Sequence, residues 1–358
     1  MGAVTNILSD VTAPVNFVLM KGLLSQARKV LPYFNGTMPG QLEKNGGSMS
    51  VKWRRFNDLA VATTALGEQT GTAAFQMGHT AATATITDIT VAVAKYGNFI
   101  NYSEELDLFN VNSRAAQLMD VLGRNAGESL NLLMHNTFAG ATTIRYASGA
   151  ADVTNVATAI DATDVKNAVN TLNRNSAMKF FAMGGGSTNI GTVPVRSSYY
   201  GITHPDVEED IRVISGFIPV EQYGGYIDDV QVGEYGAVNG VRWSSSEIAV
   251  ISTSLGTGTT SVGQRGATNI LNDIYTTYIY GKEAIGSVGL GENHTEEIYL
   301  MGDRPPAIEV INHGVGSSGI GDPYNEVGSV AWKAWFAGQI LNQAWVVEVH
   351  STSAALTG

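Results

Sequence analysis

Ser48-Met-Ser-Val-Lys-Trp-Arg-Arg-Phe56 sets Val51, Trp53 and Arg55 against Lys52, Arg54 and Phe56, an imperfect period-two alternation. Side chains of a strand leave on alternate faces, so this pattern predicts a strand. From Phe56 to Ala94 there is no Lys or Arg, and Thr and Ala dominate as far as Ala84-Thr-Ile-Thr-Asp-Ile-Thr-Val-Ala-Val-Ala94, which is β-branched and reads as a second strand. Two strands separated by a long Gly/Thr-rich excursion predict an extended β-loop. Such a segment has too few large apolar residues for a core of its own and needs a neighbour to lie on.

Helical patterns follow. Ser103-Glu-Glu and Asn112-Ser113 offer N-cap chemistry, and Ala115, Leu118, Met119, Leu122, Ala126, Leu130, Leu133 and Met134 recur at helical spacing until Gly140. This is the longest predicted helix. Gly123 and Gly127 lie inside it, each costing about 1 kcal/mol relative to Ala, which predicts close packing against another backbone. Asp161 and Asp164 ahead of Val165, Ala168, Val169 and Leu172 predict a second helix. His204-Pro-Asp predicts a third, with Pro205 in its first turn and Val207, Ile211 and Ile214 facing in.

Residues 1 to about 40 mix apolar residues with Pro14, Pro32, Pro39, Gly36 and Gly40, leaving room for a helix only from Phe17 to Val30; the segment reads as an arm. Past Phe217 the chain predicts short strands between Gly-rich turns: Ile248 to Ser252, Asn272 to Tyr280, Ile308 to Asn312 and Ala344 to His350. Trp332, Trp335 and Trp345 make the ending an ordered one. No fixed-period repeat or interdomain linker occurs, so the domains are expected to be interleaved around a shared core.

At 358 residues the chain has room for about two to two and a half domains and buries roughly three quarters of its unfolded surface, which excludes disorder. Charged residues are 15%, against roughly 25% in ordinary globular chains, and Gly is 41 of 358. So neutral a surface fits two accounts, cover by other subunits or solubility from abundant Thr, Asn and Ser; oligomeric burial is the expectation taken forward. There is no Cys, hence no disulfide, thiolate zinc site or cysteine nucleophile. Lys21, the first basic residue, follows Asp10, and no apolar run nears the 18 or more residues of a span, so a soluble chain made in the cytoplasm, with no membrane partner, is expected. A net charge of -11 argues against dedicated nucleic-acid binding.

Chemical motifs are weak. Gly314-Val-Gly316-Ser-Ser-Gly319 follows a strand as a dinucleotide fingerprint would, but Ile320-Gly-Asp-Pro-Tyr cannot open a helix and no acid lies at Ala334 to Ile340; a surface loop is expected. His79, His135, His204, His294, His313 and His350 contain no pair at helical zinc spacing. His204-Pro-Asp206-Val-Glu208-Glu209 is the densest ligand cluster and reads as a capped helix start. Asp228-Asp229 and Glu296-Glu297 read as solvated charge rather than acid/base pairs. No Gly-x-Ser-x-Gly elbow or phosphate-binding Gly-x-x-x-x-Gly-Lys loop occurs. Lys52, Arg54 and Arg55 form the one tight basic cluster, read as intersubunit salt-bridge partners rather than phosphate contacts. The aromatic ending reads as packed β-core rather than a sugar site.

Several of these stretches, in order, resemble the major capsid proteins of tailed bacteriophages, nearest the schitovirus-type branch of the Hong Kong 97-type capsid fold. They are Val51-Lys-Trp-Arg-Arg-Phe56 with Ala62-Thr-Thr-Ala-Leu-Gly-Glu68, Lys95-Tyr-Gly-Asn-Phe-Ile100, and Gly123-Arg-Asn-Ala-Gly127-Glu-Ser-Leu-Asn131. Further on come Tyr200-Gly-Ile-Thr-His-Pro-Asp206 with Asp210-Ile-Arg212, Gly233-Glu-Tyr-Gly236 with Gly240-Val-Arg-Trp243, Tyr280-Gly-Lys-Glu-Ala284, and Asp322-Pro-Tyr-Asn-Glu-Val-Gly-Ser-Val-Ala-Trp-Lys333. The resemblance implies an α+β fold with an N-terminal arm at 1–45, an extended β-loop at 46–101 and a peripheral domain with a spine helix at 102–154. An axial domain with interleaved peripheral strands would occupy 155–320, and 321–358 would return to the peripheral domain. It departs from the family pattern at Leu66-Gly67-Glu68-Gln69, where a Thr-Glu-Gly run is expected, and at Asn131, where a carboxylate is commoner.

What the resemblance implies about function is a non-enzymatic, cofactor-free protein that self-assembles into pentamers and hexamers of an icosahedral shell around double-stranded DNA. Lys52, Arg54, Arg55 and Glu68 are the candidate intersubunit contacts. Implied partners are portal and scaffolding proteins, a possible decoration protein, and packaged DNA held by weak non-specific contact. With an arm-like segment at Met1, a separate scaffold rather than a fused one is expected, and nothing local marks a Lys–Asn crosslink. The rival reading is a β-rich carbohydrate-binding or adhesive surface protein, with a catalytic α/β enzyme third.

Overall fold

The computed structural model describes residues 31–40, 49–57, 59–63, 83–105, 114–180, 197–223, 230–231, 233–249, 251–256, 271–288, 308–316, 324 and 326–354. Its helices are α1 (Arg114–Phe138), α2 (Ala162–Arg174) and α3 (Pro205–Arg212). Strands β1 (Met38–Gly40), β12 (Ile285–Val288), β14 (Val327–Ile340) and β13 (Ile308–His313) line up in that order, and β4 (Ala94–Ser103) also pairs with β14. A second sheet runs β5 (Ile144–Tyr146), β15 (Val346–Ser351), β11 (Asn272–Tyr280), β6 (Tyr199–Thr203), β9 (Val241–Ser245), β8 (Glu234–Val238) and β7 (Ile218–Pro219), with β10 (Ile251–Gly256) on β11. Strands β2 (Ser50–Phe56) and β3 (Ile86–Ala92) form a separate antiparallel ribbon.

Local chemistry explains the helices. Asp161 caps α2 through a reciprocal capping box with Asp164, and His204 caps α3 by accepting the Asp206 N–H at Nδ1 with Pro205 in the first turn. In α1, Met119, Leu122, Ala126, Leu130, Met134 and Phe138 make one buried stripe, and Gly123 and Gly127 are buried beside it. The stripe lies on β14, whose even-numbered residues Val330, Trp332, Ala334 and Phe336 are buried while 329, 331, 333 and 335 are not. Fourteen residues long, β14 is the spine of its sheet, a role that its Trp content alone did not reveal.

The eight-stranded sheet is covered on both faces. Tyr278, Tyr280, Tyr200 and Ile202 pack toward α1 and residues 31–34; Tyr275, Ile279, Tyr199, Trp243, Val347 and Val349 pack under α2 and α3. Every residue of β11 is buried in consequence. Tyr33 and Phe34 are wedged between α1 and both sheets: the Tyr33 ring meets His135, Phe138 and Tyr278 edge-on, and Phe34 meets Phe336. Asn131 joins three segments here, accepting the Tyr33 N–H at 3.2 Å and donating to Ser246 Oγ at 3.2 Å. An amide both accepts and donates without burying a charge, which accounts for Asn rather than a carboxylate at this wholly buried position.

Several boundaries differ from expectation. The strand expected at Ile248 to Ser252 begins at Ile251, because Ser246 Oγ accepts the Ile248 N–H and turns the chain. The expected Ala344 to His350 strand begins at Val346, after a 3-10 turn in which Asn342 Oδ1 accepts the Ala344 N–H. Ala84 to Ala94 divides: β3 ends at Ala92, buried Val93 marks the change, and Ala94 opens β4 in another sheet. The helix expected between Phe17 and Val30 lies outside the described residues.

Replacing Tyr33 with Ala is expected to lower stability by about 3–5 kcal/mol, the range for losing a buried aromatic ring, read as a shifted urea midpoint. Tyr33→Phe should be neutral or stabilising, because the buried Tyr33 hydroxyl has no hydrogen-bond partner among the described residues.

Candidate assembly surfaces

The ribbon is built as its sequence alternation predicts. Val51 and Trp53, with Ile89 and Val91, form the face that packs on Val288, Ala337 and Leu341 of the body. The Trp53 indole lies over Gly40 and Gly286, where a Cβ on either glycine would collide with the ring. The opposite face carries Lys52, Arg54 and Phe56 across from Thr90, Asp88 and Ile86. Lys52 Nζ stands 2.5 Å from Asp88 Oδ2, and Arg54 Nε donates to Asp88 Oδ1 at 2.9 Å.

Two members of the predicted basic cluster thus share one carboxylate within the chain, leaving one net positive charge on the outer face. Arg55 lies on the body side and donates to the Leu341 carbonyl at 3.5 Å. Glu68, the fourth candidate, lies outside the described residues. Asp88, which the sequence reading did not single out, is the sole acid of its strand and faces Arg54 in register. Phe56 and Ile86 pair across the ribbon while remaining 67% and 50% exposed. The pair leaves a small apolar surface exposed at one end of the ribbon.

The other motifs resolve into structure. Gly314 and Gly316 follow β13 in an exposed turn, and Gly319 lies outside the described residues. Among the described residues no three His, Asp or Glu side chains gather as metal ligands. The Asp206 carboxylate accepts the Tyr275 hydroxyl at 2.9 Å, which ties α3 to β11. Asp228-Asp229 and Glu296-Glu297 lie outside the described residues. Trp332 is buried with its indole N–H on Asn125 Oδ1 at 3.2 Å, and Trp335 leaves the other face of β14 beneath the Lys95 ammonium. Opposite faces deny these two indoles a common sugar platform.

One polar centre escaped the sequence reading. Asn239 and Gly240, with φ of 52° and 79°, turn β8 into β9, the hairpin that an Asn-Gly pair signals. The hairpin sets Arg242 against Glu234 in a buried two-point ion pair at 2.6 and 2.7 Å, and Glu234 also accepts the Tyr223 hydroxyl at 2.9 Å and the Gln231 N–H at 3.0 Å. Burial opposes the Arg242 charge, but the Glu234 carboxylate outweighs it and holds the guanidinium above its ordinary value. Burial, reinforced by Glu234, raises the Tyr223 hydroxyl, which stays neutral and donates.

Nine-tenths of this architecture recurs in known shells. The chain is similar to the capsid of Ralstonia phage GP4 (TM-score 0.60, 10% identity, covering 91% of this chain and 92% of that one). It is similar also to the head structure of Helicobacter pylori bacteriophage KHP40 (TM-score 0.55, 11% identity, 90% of each chain). A third match is an encapsulin complex from Synechococcus elongatus (TM-score 0.51, 8% identity, 91% of this chain and 90% of that one). No protein-family model and no curated protein matches the chain. The fold is therefore the Hong Kong 97-type capsid fold, an α+β architecture.

Hydrogen bonds from Arg54 and Lys52 lower the Asp88 carboxyl to about 2. Since the folded value lies below the usual value of about 3.9, the pairing is complete above that pH and lost as pH falls through the folded value. An NMR titration of Asp88 should show a midpoint of about 2, and Asp88→Asn should remove it and loosen β3 from β2. Arg242→Gln is expected to cost about 3–5 kcal/mol in chemical denaturation, because it strands the Glu234 charge inside the hairpin.

Proposed function

We propose that this chain is the major capsid protein of a tailed bacteriophage, self-assembling into pentamers and hexamers of an icosahedral shell that encloses double-stranded DNA. The observation that carries the proposal is the capsid fold over nine-tenths of the chain, matched over as large a share of the phage subunits. Low charge, a ribbon without its own core and the exposed Phe56–Ile86 pair all suit a subunit whose surface is finished by neighbours. Its role is structural, without catalysis or a cofactor. Many modest interfaces between identical chains add up to a stable shell.

In this reading residues 1–45 are the arm and 46–101 the extended β-loop that overlaps a neighbouring subunit, with Lys52, Arg54, Arg55 and Glu68 near the contact. The peripheral domain is α1 with the five-stranded sheet, and the axial domain is α2 and α3 with the eight-stranded sheet. This partition is spatial rather than consecutive: β1 and β4, at the ends of the arm and the β-loop, join the peripheral sheet, whereas β5 and β15, within 102–154 and 321–358, join the axial sheet through β15 and β11. Portal and scaffolding proteins complete the partner set, and packaged DNA meets the wall weakly, its charge neutralised by small cations. The protein is made in the host cytoplasm and resides in the virion.

Light scattering and negative-stain electron microscopy of the purified chain, alone and with a scaffold protein, test the proposal. Closed particles or five- and six-fold rings are expected. A monomer that persists with scaffold supplied overturns the reading.

A further inference from the structure

The cations of the chain are unevenly answered. Lys52 and Arg54 share Asp88, Arg212 pairs with Glu208, and Arg242 pairs with Glu234. Around α2 the pattern changes: among the described residues, Arg145, Lys166, Arg174, Lys179 and Lys282 have no carboxylate partner. Arg145 donates from Nε to Thr171 Oγ1 at 3.1 Å, and the Lys179 ammonium lies 5.6 Å from the centre of the Tyr199 ring. Lys282 joins the same end of the helix, because its N–H donates to the Met178 carbonyl at 2.8 Å. The acids of these segments stand at the two ends, Asp161 and Asp164 in the cap and Glu283 beside Lys282. Five cations against three acids leave the surface positive on a chain whose net charge is -11. From Val165 to Pro205 the sequence holds no Asp or Glu at all, although the whole chain has 32.

The solvent face of α2 is polar along its length. Lys166, Asn167, Asn170, Asn173 and Arg174 are exposed, and no exposed large apolar side chain lies on this helix. A face that docks a folded protein carries apolar or aromatic anchors at its centre. A nucleic-acid surface is instead polar and positive, with amide and hydroxyl groups among its donors to phosphate. Lys166 and Arg174 stand eight positions apart, about 12 Å along the helix, which spans several phosphates of a duplex that carries one charge per about 1.7 Å of its axis. We infer that the solvent face of α2, with Arg145, Lys179 and Lys282 at its margins, is the surface through which this chain meets double-stranded DNA. The contact is to the phosphate backbone and independent of sequence. The inference deepens the shell reading above, which supplies DNA as a partner and assigns it no surface.

Binding of a short fluorescently labelled DNA duplex to the unassembled full-length chain, read by anisotropy as salt is raised, tests it. Lys166→Gln, Arg174→Gln and Lys179→Gln each remove one exposed charge from this face, and Lys95→Gln makes the same change on β4. Circular dichroism melting should keep all four close to the unchanged chain. The unchanged chain should bind at low salt and weaken steeply as salt rises. Each variant of the face should reduce the slope of log affinity against log salt by about 1, and the triple variant should bind at least about tenfold more weakly. Lys95→Gln should bind like the unchanged chain. No binding by the unchanged chain, an unchanged slope in the folded triple variant, or an equal loss in Lys95→Gln overturns the inference. Duplex binding that survives in the triple variant while its particles are lost assigns the face to a protein partner instead. Failure of the shell reading is seen separately, as absence of particles from the unchanged chain in electron microscopy.

Discussion

Burial of one stripe of α1 against both sheets is the contact on which the rest of the molecule depends. Leu130, Met134 and Phe138 touch a core that draws on residues 31–34, on β14 and on Tyr278 and Tyr280 of the other sheet. Side chains from the two ends of the chain meet there within a few ångströms of one helix. Interiors are close-packed, so a shift of that helix moves both sheets together. His135 sits in this core between Tyr33 and Tyr278, and burial lowers its pKa, which favours the neutral ring among the aromatics.

The ribbon obeys a different constraint. It has two strands and one apolar face, too little to stand alone. Trp53 supplies the attachment by lying in a notch that two glycines leave open, and Asp88 holds the two strands from the outer side. The ribbon is thereby fixed to the body by one face, with Lys52, Arg54, Asp88 and the exposed Phe56–Ile86 pair on the other. Attached in this way, the ribbon holds Lys52, Arg54 and Asp88 outward, while Arg55 reaches the body through the Leu341 carbonyl.

Such a distribution suits a protein that acts through surfaces. Among the described residues, Arg242 with Glu234 and Tyr223 forms a buried polar arrangement that braces a hairpin. His204 and Asp206, the densest candidate ligands, cap a helix and receive Tyr275. What these contacts supply is rigid geometry, in which layers packed on one helix move together.

The amino-acid sequence by itself determined the elements whose signals are local. Caps at Asp161 and His204, the apolar stripe of α1, the alternation of β2 and the unbroken β-branched and aromatic run of β11 all act within one turn or one strand of the residues that carry them. The Asn239-Gly240 hairpin carries an equally local signal that went unread. Only the tertiary structure decided the role of β14, the change of sheet at Val93, and the division of Lys52, Arg54 and Arg55 between the two faces of the ribbon. The physical reason is distance along the chain: β14 pairs with residues more than two hundred positions earlier, and Asp88 reaches Arg54 across an excursion of about thirty residues. Composition and period describe what a segment can do, but which partner meets it is set by packing energies summed over the whole core.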